Sequence, residues 1–308
     1  MSSISEHEVI IVGGGPAGLT AGLYASRAGL KAVALEKGLI GGQIINAPLV
    51  ENYPGFPHGI AGSDLGDLMC RQAEKHGLRF ITGDVVGVEV ADGYKVVRTS
   101  DGELRCKVVI AATGSERQKL GVPGEQLLLG RGVSYCATCD GPLFRGETVA
   151  VVGGGDVAIT EALSLVAFVN KIVVIHRRDE LRASAILRER AQSEPKISFL
   201  WSTVVSDVLG DDKVRELSLR DVKTVRSFNL EVSGVFVCIG HRPNTDYLAH
   251  TLPLDPAGYV ITDVQMRTDV PGLFAAGDIR QNSARQVVAA AGDGATAALS
   301  AEKFLKGI

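Results

Sequence analysis

No stretch of this 308-residue chain is apolar for long enough to span a bilayer, and no excess of positive charge marks it for nucleic acid. Lys and Arg number 32 against 35 Asp and Glu, giving a formal net charge of −3 and a pI near 6.1, so partners are not sought through a basic surface. The first eight residues carry acidic side chains where a signal peptide needs a basic n-region, and the expected location is the cytoplasm. Cysteine is scarce: five residues cannot make a secreted disulfide framework. Low-complexity tracts are missing although Gly numbers 37, which fits phosphate-cradling turns better than disorder. What remains, 45% hydrophobic and 22% charged residues, is ample for two packed cores, and two domains are expected.

The scarce cysteines include one pair, Cys136-Ala137-Thr138-Cys139, followed directly by Asp140. Two intervening residues can close a small disulfide ring, and thiolate attack is how such rings exchange electrons with other disulfides. Asp140 could supply or accept the proton. Two alternatives stand beside this reading, a buried reduced pair and half of a zinc site. Structural zinc needs four ligands, and neither a second Cys pair nor a spaced His pair occurs, so no metal is expected. Cys70, Cys106 and Cys238 are isolated and read as small buried hydrophobes.

Residues 10–12 form an apolar strand entering Gly13-Gly14-Gly15-Pro16-Ala17-Gly18, and residues 19–27 read as a helix. This is a Gly-x-Gly-x-x-Gly turn in its proper context. Gly13 permits the tight turn, Gly15 lets backbone approach a pyrophosphate, and Gly18 lets helix pack on strand. The pattern returns in Gly153-Gly154-Gly155-Asp156-Val157-Ala158, with Ala158 in the third position and a helical run over 159–166. Two copies imply two dinucleotides. Twenty-one positions after Gly15 stands Glu36; twenty-one after Gly155 stands His176, followed by Arg177 and Arg178, with Arg182 close behind. A carboxylate suits a ribose with free hydroxyls, and a basic cluster suits a 2′-phosphate, which assigns FAD to the first turn and NADPH to the second. The competing reading of the cluster is a solvated helix start. Near the C-terminus, a strand over 272–276 ends in Gly277-Asp278, and an Ala-rich helix is expected over 285–299. An Asp at a strand end can hold a ribityl hydroxyl, and a helix N-terminus can stabilise a reduced isoalloxazine.

Taken together, these segments resemble the bacterial-type, low-molecular-weight thioredoxin reductases over nearly the whole chain. The likeness is carried by the first glycine turn, Glu36 with Gly41-Gly42-Gln43, Glu51-Asn52-Tyr53-Pro54-Gly55 and Ala112-Thr113-Gly114. It continues in Cys136-Ala137-Thr138-Cys139-Asp140, the second glycine turn, residues 176–183, Gly240-His241-Arg242-Pro243-Asn244 and Ala276-Gly277-Asp278 with Arg285-Gln286. The resemblance implies an α/β architecture of two Rossmann-like dinucleotide-binding domains, the second inserted in the first. An FAD domain of residues 1–116 and 245–308 would surround an NADPH domain of residues 117–244. FAD would be held by Gly13, Gly15, Pro16, Ala17, Gly18, Glu36, Gly41, Gly42, Gln43, Asn52, Thr113, Gly114, Gly277, Asp278, Arg285, Gln286 and Val287. NADPH would fall to Gly153, Gly155, Asp156, Ala158, His176, Arg177, Arg178 and Arg182. The resemblance further implies a homodimer, Cys139 facing the flavin, Cys136 attacking thioredoxin and Asp140 handling the proton, with domain rotation between the two half-reactions. Two positions depart from the family pattern: Val157 stands where a hydroxyl is usual and Thr160 where a Glu is usual, while Glu161 is retained. These departures keep open another electron donor, such as reduced ferredoxin, and because partner surfaces are not legible in sequence another protein disulfide stays open as acceptor.

Overall fold

Residues 6–47 and 49–308 are described in the structure, a computed structural model; residues 1–5, part of the acidic start, lie outside them. The chain folds as two compact units, one running up to Glu116 and resuming over Arg242–Ile308, the other Arg117–His241. Each is built around one run of β-branched residues. Val9 through Val12 and Val149 through Val152 are buried at every position, as parallel strands covered on both faces require.

In the first unit, Glu6–Val12 pairs in parallel with Ala32–Glu36 on one side and Gly102–Ala111 on the other. Arg79–Thr82 extends one edge in parallel, while Tyr94–Thr99 and Val85–Ala91 extend the other antiparallel. Leu273–Ala275 returns from the far end of the chain to pair in parallel with Gly102–Ala111. Helix Pro16–Arg27 begins at the glycine turn with Pro at its first position, where a missing N–H costs nothing. Against it lies helix Val287–Lys306, and the two meet through Ala17, Ala21, Ala25, Ala290, Ala297 and Ala301. A Cβ on Gly294 would run into the Ala17 carbonyl oxygen, so this close crossing requires a residue without a side chain.

The second unit repeats the plan in a five-stranded parallel sheet, ordered Ile197–Leu200, Lys171–Ile175, Thr148–Val152, Gly234–Val237 and Val133–Ser134. An antiparallel sheet of Thr203–Leu209, Glu216–Asp221 and Ser227–Glu231 completes the unit. The two chain crossings themselves, Ser115–Arg117 and His241–Pro243, form a two-stranded sheet. Among the described residues no helix is long and apolar enough to cross a membrane.

Three boundaries differ from the sequence expectation. The helices after the glycine turns start earlier, at Pro16 and Asp156, because each turn's last glycine before the helix, Gly15 or Gly155, is itself the extended N-cap. The Ala-rich helix starts later and runs further, over Val287–Lys306: Arg285 has φ +53°, which a helical residue cannot adopt, and Gly307 at φ +71° ends it. Cys106 and Cys238 are buried, whereas Cys70 is only half-buried on helix Gly62–Lys75.

Candidate active site

In the first unit the carboxyl ends of three strands converge: Ala112 N–H donates to the Val12 carbonyl at 2.7 Å, and Ala276 N–H to that of Ala111 at 2.9 Å. Ligands of open α/β sheets bind outside such strand ends. Glu36 curls back over the turn, its Oε2 accepting the Gly14 N–H at 2.6 Å and its Oε1 the Gly38 N–H at 2.8 Å. Gly42, at φ +64°, faces Gly15 so closely that a Cβ on it would lie 2.9 Å from the Gly15 Cα. Here backbone meets backbone, a cradle that a side chain on Gly42 would crowd. Gly41 precedes it at φ +110°, and the Gln43 amide donates to the Ser115 carbonyl.

Around that cradle stand the other residues anticipated from sequence. Gly277 approaches the helix after the turn, a Cβ there lying 2.9 Å from that of Ala17. Asp278 accepts the Ser283 hydroxyl at 2.9 Å. Thr113 and Asn244 are bound reciprocally, Thr113 Oγ1 donating to the Asn244 carbonyl at 2.7 Å and Asn244 Nδ2 to the Thr113 carbonyl at 2.9 Å, with Gly114 accepting the Asn244 N–H. Asn52 Nδ2 donates to Gln286 Oε1 at 3.0 Å, directly before Val287 opens the long helix. Arg285 lies over the Tyr259 ring and donates to its hydroxyl, yet its Nε is buried without a partner among the described residues, as a group awaiting an acceptor would be. The backbone cradle, the Glu36 carboxylate at the end of the second strand and the unpartnered Arg285 Nε fit a dinucleotide.

The second turn lies at the end of Thr148–Val152, with Ala158 fully buried and open space around Gly155. Asp156 Oδ1 accepts the Ser184 N–H at 2.6 Å, and the Gly154 carbonyl takes N–H bonds from Arg182 and Ala183. The basic loop is thus stitched to the turn. Arg177, Arg178 and Arg182 are exposed and make no ion pair among the described residues, which suits capture of an anion. They sit in a loop; the next helix begins only at Ala185. His176 does not join them. It is 4% exposed and packed beneath Gly154, where a Cβ would collide with its ring. Burial first, then Arg182 and Arg178, hold its pKa below 6.5, so at neutral pH it is an uncharged wedge supporting the turn.

The dithiol also belongs to the second unit. Cys136 and Cys139 are joined in a disulfide with Cα atoms 5.3 Å apart, at the start of the short helix Ala137–Asp140. The Cys136 sulfur accepts the Cys139 N–H at 3.2 Å and lies 3.3 Å from the Thr138 hydroxyl. Ser134 Oγ accepts the Cys136 N–H and donates to Asp140 Oδ2 at 2.6 Å, fixing that carboxyl beside the pair.

Several contributors lie beyond what the sequence pattern named. Arg280, half-buried, and Asp293, buried, form a bidentate pair at 2.6 and 2.9 Å, and Asp293 also accepts the Gly277 N–H, which ties the Gly277-Asp278 turn to the long helix. Glu125 accepts the Leu120 and Gly121 N–H groups and the Tyr135 hydroxyl, bracing the residue before Cys136. Burial, then that Glu125 bond, pushes the Tyr135 phenol well up. Glu161, already named as the retained carboxylate of the family pattern, accepts the Ala137 N–H between the cysteines. A carboxylate at the spacing of buried helix positions was the available signal: Asp293 neighbours Ala290 and Ala297, and Glu161 neighbours Ala158 and Leu165.

Two dinucleotide turns with a disulfide between them in sequence define a class of redox protein, and the chain belongs to the pyridine nucleotide-disulphide oxidoreductase family, whose model matches residues 7–294. Its place within that family is with the thioredoxin reductases. It is 48% identical to a thioredoxin reductase of Streptomyces coelicolor over 300 residues, covering 96% of this chain and 93% of the relative. To one of Listeria innocua it is 44% identical over 304 residues, covering 97% and 94%. The crystal structure of a thioredoxin reductase from Streptococcus pyogenes MGAS5005 matches with a TM-score of 0.94 at 42% identity, over 99% of this chain and 100% of that one. Family membership makes the chain an oxidoreductase working with a flavin and a pyridine nucleotide.

Proposed function

We propose that the chain is a cytoplasmic, homodimeric thioredoxin reductase that passes two electrons from NADPH, by way of FAD, to the Cys136–Cys139 disulfide and on to thioredoxin. The observation that carries this reading is the disulfide itself, set in the same unit as the second glycine turn and oriented by the Cys136 N–H donated to Ser134 Oγ and the Cys139 N–H donated to the Cys136 sulfur. When bound, FAD and NADPH supply the two-electron transfer chemistry that reduces the disulfide. Gly15, Gly42 and Glu36 would hold the FAD pyrophosphate and ribose, with Asp278 at the ribityl chain. Arg177, Arg178 and Arg182 would hold the 2′-phosphate of NADPH, and Gly155 would admit its pyrophosphate.

The chain's own chemistry is thiol–disulfide exchange. The Cys136 thiolate attacks one sulfur of the thioredoxin disulfide; the S–S bond breaks and the leaving thiolate is protonated. Cys139, deprotonated in turn, attacks the Cys136 sulfur of the mixed disulfide. The Cys136–Cys139 bond is restored, and thioredoxin leaves with two electrons and two protons. Asp140, held by Ser134, is the proton carrier. NADPH oxidation should require oxidised thioredoxin and follow its concentration. Faster turnover with reduced ferredoxin as donor, or with a low-molecular-weight disulfide as acceptor, would overturn this assignment.

A further inference from the structure

We infer that Glu161 is a positioning residue for the dithiol, fixing the peptide between the two cysteines and holding down the thiolate fraction of reduced Cys136. The inference rests on the proposed dithiol chemistry, but its test does not require NADPH or thioredoxin.

Ala137 is 1% exposed, and its N–H, the first of the redox helix, is donated to Glu161 Oε2. Glu161 projects from helix Asp156–Leu165, which begins at the second glycine turn, so one rigid element carries both the turn and the anchor of the dithiol. The neighbouring Thr160 is exposed. Cys136 therefore experiences two opposed influences. The Cys139 N–H at 3.2 Å favours its thiolate, and the Glu161 carboxylate, bonded to the next residue, disfavours it. The same carboxylate reaches the buried Cys238 behind the helix, whose thiol is pushed up to about 12 by burial first and Glu161 second, with Arg117 acting the other way. The other charged groups beside the pair are Asp140, held to Ser134, Glu125, which accepts the Tyr135 hydroxyl, and Arg117, which lies over the Tyr135 ring. An attacking thiol works best with a pKa near ambient pH, so a charge that offsets the favourable N–H has a chemical use.

The experiment uses flavin-loaded protein reduced with dithiothreitol and freed of reductant under anaerobic conditions. Iodoacetamide labelling of Cys136 is followed by peptide mass spectrometry from pH 5 to 9. Glu161→Gln keeps an oxygen to accept the Ala137 N–H and removes the charge; Glu161→Asp keeps the charge. In Glu161→Gln the Cys136 profile should move to lower pH, with labelling at pH 6 faster by about threefold to tenfold, while flavin content stays at the unmodified level. Glu161→Asp, the check should Glu161→Gln lose its flavin, should keep a profile close to the unmodified one. Superimposable profiles in the unmodified protein and Glu161→Gln would overturn the inference, as would a shift in Glu161→Asp as large as that in Glu161→Gln. Failure of the unmodified protein to turn over thioredoxin, with the predicted labelling shift intact, would count against the partner assignment alone.

Discussion

Replacing Arg177 and Arg178 together by Ala tests the assignment of the second turn with little risk to the fold. Both side chains are exposed, and neither forms an ion pair among the described residues. The loop that carries them is held by backbone bonds, Arg182 N–H to the Gly154 carbonyl at 2.7 Å and Ser202 N–H to the Arg178 carbonyl at 2.9 Å, which the substitution leaves in place. His176 contributes no charge because it is buried and its pKa is lowered. On the proposed reading, a preference for NADPH over NADH rests on the arginines. At about 1.5 kcal/mol for each charge-assisted contact to the 2′-phosphate, two of them give about 3 kcal/mol, on the order of a hundredfold. The ratio of kcat/KM for the two nucleotides, measured by absorbance at saturating thioredoxin, should fall by roughly that factor, almost wholly through KM for NADPH. NADH use should stay nearly unchanged. Equal use of both nucleotides by the unmodified protein, or a double variant that keeps its preference, would refute the reasoning.

Other consequences are equally open to measurement. Cys139→Ser should trap thioredoxin as a mixed disulfide through Cys136, seen on non-reducing gels, whereas trapping through Cys139 in Cys136→Ser would reverse the roles. Gly42→Ala, placing a Cβ 2.9 Å from the Gly15 Cα at φ +64°, should cost about 1–2 kcal/mol and release flavin, read as a lower ratio of visible to protein absorbance. Because burial and the nearby arginines hold His176 below 6.5, the unfolded chain binds the extra proton as pH falls below that value. The stability this group contributes is therefore full above pH 6.5 and lost below it. The urea midpoint should drop between pH 7.5 and 5.5, and less so in His176→Leu; the same drop in both would count against the mechanism.

What could be read in the sequence was local. An apolar strand running into Gly-x-Gly-x-x-Gly announces itself within ten residues, and so does a Cys-x-x-Cys. The side chain of His176 shows why the rest was hidden: its place in line with Arg177 and Arg178 suggests a shared role, but it continues the buried run of the strand before it and packs under Gly154, while the arginines begin the exposed loop. Arg285 is similar, since an Ala-rich run gives no sign that a left-handed residue delays its helix. Helical spacing marks Asp293 and Glu161 as inward-facing carboxylates, but their partners, Arg280 and the Ala137 N–H, are chosen by packing, as is the Glu125 bond to Tyr135. Each pairing became visible only when the helices were set in place.

The central claim is that electrons leave the chain through Cys136 and Cys139. Anaerobic mixing of one equivalent of NADPH with oxidised thioredoxin and a catalytic amount of the protein tests it most directly, by counting thiols on thioredoxin. The account predicts two new thiols per NADPH consumed, and with Cys139→Ser no more than the single thiol freed on each trapped thioredoxin, even though NADPH still bleaches the flavin of that variant. Thioredoxin reduced at the normal rate by Cys139→Ser would contradict it.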